Sequence, residues 1–363
     1  MALNRRELVS TLALSGAAAL VGREAAAAGP QTPAPIPPAK PVTFPAERPP
    51  LEKPPKLGPG SVVGLVLPAS QAFEQSEIDV AREKLEAIGF KVKEGAHARA
   101  RYGYFAGTDE ERASDVNAMF ADDSVDGVYC FTGGWGTPRI LPLIDYETIR
   151  KNPKVIIGYS DITSLVNTIH QRTGLVTFHG PLGVSEFDPW SLEQLERVLF
   201  STDPIGVLTN PPKPDDHLVD PDYHLRTLTP GKATGRLVGG NLSMLSAMMG
   251  TPYEVDTAGG ILLVEDIHEG YYRIDRMLTQ MRQGGSLSNL AGVVWGYCTD
   301  CTVDAPSFSL EEILDQYLTP LGVPALAGLA FGHIHKKLTL PIGLTATLDA
   351  DAGTLTITEA AVR

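Results

Sequence analysis

Residues 154–164, KVIIGYSDITS, limit what this chain can fold into more than any other stretch. Val155, Ile156 and Ile157 form a β-branched run too short for a helix, and it reads as a strand buried on both faces. Gly158 follows at once, and Thr163, Val166 and Ile169 then recur at helical spacing. A strand that passes through so tight a turn into a helix lifts the side chain at the turn off the backbone. Ser160 stands there and is a candidate nucleophile. The same residues also read as a helix start, with serine as cap and Asp161 in a first turn that favours negative charge. The second glycine of a hydrolase elbow is absent, so both readings stand at this point.

The preceding chain repeats the pattern. Strands are expected over 61–67, 90–94 and 125–131, and helices over 74–88 and 110–120. Ile78, Ala81, Leu85 and Ile88 share one face of the first helix, and Gly89 ends it. Strand and helix alternating in this way argue for a mostly parallel sheet with helices on both faces, whose ligands gather at the carboxyl ends of the strands. Thr132-Gly133-Gly134-Trp135-Gly136 falls at that edge after the third strand, beside Gly158-Tyr159-Ser160 after the fourth. A loop so rich in glycine bares backbone N–H groups. Neither a P-loop lysine nor G-x-G-x-x-G accompanies it, so it reads as an oxyanion donor or substrate-hugging loop, or as a structural turn, ahead of a phosphate cradle.

Beyond a strand near 176–181 and a helix near 191–200, residues 201–230 are rich in Pro, Asp and Thr without period, and a domain boundary is expected there. The organisation read is 60–200, a connection over 201–232, and a second domain over 233–363, consistent with 363 residues. In the second domain, strands are expected over 233–237, 260–264, 290–295, 327–333, 339–348 and 354–358. Helices are expected from Gly239-Gly240-Asn241 through Met249, from near Tyr272, and over 310–318. Glu265 and Asp266 directly follow an apolar strand and read either as site carboxylates or as caps of the next helix. The strand over 327–333 ends in His333.

Residues 1–28 combine Arg5-Arg6, a modest apolar stretch and an alanine-rich end, the pattern of a twin-arginine export signal, so a periplasmic location is expected. Residues 29–59 are too rich in proline to pack and read as a spacer. No other run approaches 18 apolar residues, so stable membrane insertion is not expected. A net charge of -13 argues against a nucleic-acid partner. Three cysteines are too few for a disulfide framework or a four-thiolate zinc site; Cys298 and Cys301 read as loop thiols or as a small disulfide.

Taken together, YFAGT (104–108) with Arg112, GGWGTPRILPLIDY, KVIIGYSDITSL, FHGP, GGNLSML with GTPY, ILLVEDIHEGYYRIDRML and FGHIHKKLTLPIG are similar, in order, to the LD-carboxypeptidases. That serine peptidase family also contains the microcin-C self-immunity peptidases. The resemblance covers roughly residues 60–360 and implies a Rossmann-like or flavodoxin-like α/β domain first, a smaller β-rich domain second, and the site in the cleft between them. It implies a triad of Ser160 as nucleophile, Glu265 as orienting acid and His333 as general base. The N–H groups of Asp161 and Gly134 would then hold the oxyanion, with Trp135, Arg139 and Arg273 as candidate substrate contacts. His268, Glu269 and His335 lie off the matched positions. His333-Ile334-His335 lacks metalloprotease spacing, so neither metal nor cofactor is expected. The activity implied is removal of terminal D-alanine from peptidoglycan stem peptides or muropeptides, by a homodimer. Alternatives are a microcin-immunity-like peptidase acting on peptidyl-nucleotide or acyl-peptide conjugates, and a cell-wall peptide-binding protein without turnover.

Overall fold

The expected apolar runs pair into a six-stranded sheet in the order Lys91–Glu94, Val62–Val66, Gly127–Cys130, Val155–Ile157, Thr177–His179 and Leu340–Ile342. In this computed structural model, residues 47–363 are described, apart from 215, 217, 304 and 305, and all fall within one unit, Ala39–Arg363. The first five strands are parallel and only Leu340–Ile342 runs antiparallel. The order 2-1-3-4-5 is that of the flavodoxin-like fold, whose switch point lies between the first and third strands. Val155, Ile156 and Ile157 are fully buried, as a central parallel strand requires.

Helices cover this sheet. Gln75–Ile88 buries Ile78, Ala81 and Leu85 and stops at Gly89 in the left-handed conformation. Asp109–Ala121 starts on a capping box made by Thr108 and Glu111.

A second, eight-stranded mixed sheet is built mainly from the later chain. Its centre is parallel: Lys232–Asn241, Gly260–Ile267, Gly292–Thr299 and Ala325–Ala327. Thr345–Asp349 and Thr354–Ile357 extend it antiparallel on one side, and Arg226–Thr229 closes the other. The stretch expected to be irregular therefore holds two edge strands, Gly206–Leu208 and Arg226–Thr229. Neither shows an apolar alternation: Gly206–Leu208 is only three residues long, and Arg226–Thr229 contains no buried residue.

Three expectations are corrected. The apolar run 327–333 is not one strand: pairing ends at Ala327, and the chain turns through Gly328 and Gly332, both at positive φ. Leu329, Ala330 and Phe331 are buried in a loop, so hydrophobicity there marks depth and not extension. The strand expected over 339–348 is two, and the first crosses back to pair with the Ser160-bearing sheet. Residues 47–59 are no free spacer: Leu57 is buried, Glu52 bridges to Leu175, and Arg48 pairs with Asp256 at 2.8 Å. Residues 1–28 and the rest of the proline-rich segment lie outside the described residues. No helix among the described residues is long and apolar enough to cross a membrane.

Candidate active site

The turn after Val155–Ile157 places Ser160 at φ 65, where a side chain other than glycine is strained. A short turn of 3-10 helix, Ser160–Ile162, leads straight into the helix Thr163–Thr173. Ser160 is half-buried while Tyr159 and Asp161 on either side are buried. The hydroxyl is thus carried out of the core on a sharp strand-to-helix corner, as the apolar run and its glycine suggested.

The glycine loop closes over this corner. A Cβ on Gly133 would stand 2.6 Å from Ser160 Cβ, 2.8 Å from its Oγ and 3.2 Å from the backbone nitrogen of Asp161. Only glycine lets the loop come so near. Ser70, from the loop after the first strand, ties in the same segment: its N–H donates to the Gly133 carbonyl and its Oγ accepts from the Trp135 N–H. Asp161 staples loop to corner from beneath, its Oδ2 accepting from the Thr137 N–H at 2.7 Å and from the Thr137 hydroxyl at 2.6 Å. Burial raises the Asp161 carboxyl above its usual range, and the two Thr137 hydrogen bonds oppose that rise.

The second sheet brings a buried carboxylate. Glu265 lies in the buried part of Gly260–Ile267, which runs through Asp266, opposite Asn241 in the parallel register. The neighbouring strand is stitched to the helix that follows Ser160. Asn167 Nδ2 donates to the Gly239 carbonyl, Gly239 N–H donates back to Asn167 Oδ1, and Asn241 N–H donates to Thr163 Oγ1. These bonds seat the carboxyl end of one sheet against that of the other.

Glu265 is fully buried, and His333 Nδ1 stands 2.7 Å from its Oε2. Burial would raise this carboxyl, but the charge and hydrogen bond of His333 hold it below its usual range. The close approach depends on Gly332, at φ +100, where a Cβ would lie 2.5 Å from Oε2. The His333 ring packs edge-on against Tyr159 with centroids 4.7 Å apart, which sets the imidazole beside the residue preceding Ser160. Among the described residues, no hydrogen bond joins Ser160 to His333.

Other candidates sit further out. Trp135 is exposed on the loop rim. Arg139 pairs with Asp109 at 2.8 Å and stacks on Phe105, while Arg273 is exposed and reaches Glu269 at 3.6 Å. His268 faces Asp300 at 3.3 Å and His335 faces Asp188 at 4.0 Å, so neither joins Glu265. Cys298 and Cys301 are free thiols.

Several residues around the site were not singled out in the sequence, whereas Asp266 was read there with Glu265 as a site carboxylate or a helix cap. Asp266 accepts from Asn241 Nδ2 and from the N–H and hydroxyl of Ser243, and burial with the neighbouring Glu265 charge pushes it up to about 6. Tyr159, Thr137 and Lys337 carry no motif of their own. His179 is buried beside Tyr159, and burial pushes it down to about 4.

Comparison with known proteins places this geometry. Residues 63–180 match the family model described as the LD-carboxypeptidase N-terminal domain, and residues 234–348 match the LD-carboxypeptidase C-terminal domain. The chain is 41% identical to a probable murein peptide carboxypeptidase of Bacillus subtilis over 84% of its length and 94% of that protein. It is 34% identical to the murein tetrapeptide carboxypeptidase of Pseudomonas aeruginosa, over 80% of this chain and 93% of that one. Among solved structures, that of MccF in complex with glutamyl sulfamoyl guanosine superposes with a TM-score of 0.77 at 26% identity, over 86% of this chain and 99% of that chain.

Proposed function

The chain belongs to the LD-carboxypeptidase family of peptidases, and on that premise we propose that it is a serine-type carboxypeptidase acting on peptidoglycan tetrapeptides. The observation that supports the reading is the Glu265–His333 pair, 2.7 Å apart, with the His333 ring packed on Tyr159, which directly precedes a serine held at positive φ. In the proposed reaction Ser160 Oγ attacks the carbonyl that precedes the terminal D-alanine, and His333 takes the serine proton. The oxygen that gains charge is held by the N–H groups of Asp161 and Gly134, each worth about 3 kcal/mol in comparable sites. The C–N bond then breaks as His333 returns the proton to the leaving amine. Water, deprotonated by the same imidazole, releases the acyl group from Ser160.

The products are a tripeptide and D-alanine, with diaminopimelate or lysine as the new carboxyl end. Support for this substrate comes from the murein carboxypeptidases to which the chain is similar. Export to the periplasm is proposed from residues 1–28 alone, and a homodimer from the tendency of the family.

The likeness to MccF keeps a second reading in play, cleavage of peptidyl-nucleotide conjugates. Incubation with a purified tetrapeptide and, separately, with a glutamyl sulfamoyl nucleotide separates the two. Loss of one alanine from the tetrapeptide with the conjugate intact is the expected result. Cleavage of the conjugate alone would replace the reading.

A further inference from the structure

A buried cation beside the candidate triad has no part in the steps above. Lys337 is 5% exposed, and its ammonium donates one hydrogen bond, to the Tyr159 hydroxyl at 3.2 Å. It forms no salt bridge among the described residues, although an ammonium carries three donors and a buried charge is ordinarily paired. The nitrogen also stands 4.7 Å from the centre of the Tyr159 ring. The ring of His333 packs against that same ring. One aromatic side chain thus joins the cation to the candidate base, and its backbone runs directly into Ser160.

The surroundings fix the lysine from several sides. Its N–H donates to Ser191 Oγ at 2.9 Å, and that hydroxyl is bound in turn by Asp188. The charged and titratable groups around the ammonium are Tyr159 on the corner, Glu265 and His179 on two strands, Glu186 and Asp188 ahead of the helix Pro189–Leu199, and His333 on its own loop. An apolar side chain would fill this space without desolvating a charge.

We propose that Lys337 is a positioning residue for Ser160 chemistry, its charge locking Tyr159 in the place that sets the reach of His333 toward the serine. The inference rests on the triad reading above. Burial pushes the ammonium down to about 8, against the pull of Glu265, Asp188 and Glu186, so the locking charge is lost in a range where an ordinary lysine keeps it.

The test is the rate at which a fluorophosphonate labels Ser160 in the full chain between pH 6 and 10, for wild type, Lys337→Arg and Lys337→Met. In that reaction the serine oxygen bonds phosphorus, fluoride leaves and the serine proton passes to the base, with no peptide to recognise. The wild-type rate is expected to fall above about pH 8, and arginine, which stays charged, to carry the plateau at least one pH unit higher. Lys337→Met is expected to label at least tenfold more slowly at pH 7, with its saturation constant within threefold of wild type. One alkaline limb shared by all three proteins would overturn the proposal, as would a Met variant that loses only affinity. Should the Met variant not fold, the arginine profile against wild type decides alone. Absence of labelling in the wild type would instead remove the nucleophile, and this proposal with it.

Discussion

His333 Nδ1 stands 2.7 Å from Oε2 of Glu265, a carboxylate sealed from water. A carboxylate can only accept, so Nδ1 holds the ring proton and Nε2 is left free to take one. The pair therefore fixes a tautomer as well as an orientation. Glu265→Gln keeps the shape and loses that control, and kcat is expected to fall by about a thousandfold to ten-thousandfold with KM nearly unchanged. Steady-state kinetics on a tetrapeptide checks this, and a loss under tenfold would contradict it.

Glu265 and its neighbour Asp266 respond to pH in opposite senses. The folded Glu265 carboxyl lies below its unfolded range, so it stabilises the protein above that range and ceases to do so as pH falls through its depressed value. Asp266 is raised from 3.8 to about 6, so between those values the folded state binds a proton that the unfolded state does not. Stability from this group therefore falls as pH rises across that window, by about 3 kcal/mol at most. Urea unfolding at pH 4.5 and 6.5 is expected to show wild type losing about 1–3 kcal/mol more than Asp266→Asn over the interval. Equal changes in the two proteins would contradict the account.

Gly133 and Gly332 tie activity to close packing at the site. Gly133→Ala sets a methyl 2.6 Å from Ser160 Cβ and 2.8 Å from its Oγ at a buried position, so at least a hundredfold loss of turnover is expected together with a loss of about 1–3 kcal/mol of stability. Gly332→Ala meets Glu265 Oε2 at 2.5 Å from a left-handed backbone, so it should lose activity and about 1–3 kcal/mol of stability together. Paired kinetic and thermal measurements check both; full activity in Gly133→Ala would mean that the loop does not hold the serine.

The parallel sheet was legible because each buried strand is a short β-branched run closed by a turn residue, as Val155–Ile157 and Gly158 illustrate. Ser160 was legible for the same reason: the corner follows from local sequence. The strand holding Glu265 read correctly, but its partner did not, since His333 sits on a loop whose apolar residues imitate a strand. Nothing local distinguishes a buried loop from a buried strand when both need apolar side chains; Gly328 and Gly332 were the available sign. Leu340–Ile342 crosses to the first sheet through long-range pairing, which no window of sequence records. Lys337 was invisible because a lysine beside another lysine reads as a solvated pair, and only the fold places it under Tyr159.

The central claim is that Ser160 is the nucleophile. Its most direct test is mass spectrometry of a purified muropeptide tetrapeptide incubated with wild type and with Ser160→Ala side by side. The account predicts loss of one alanine by wild type and a rate at least about a thousandfold lower in the variant. Loss of alanine by both proteins at similar rates would contradict it.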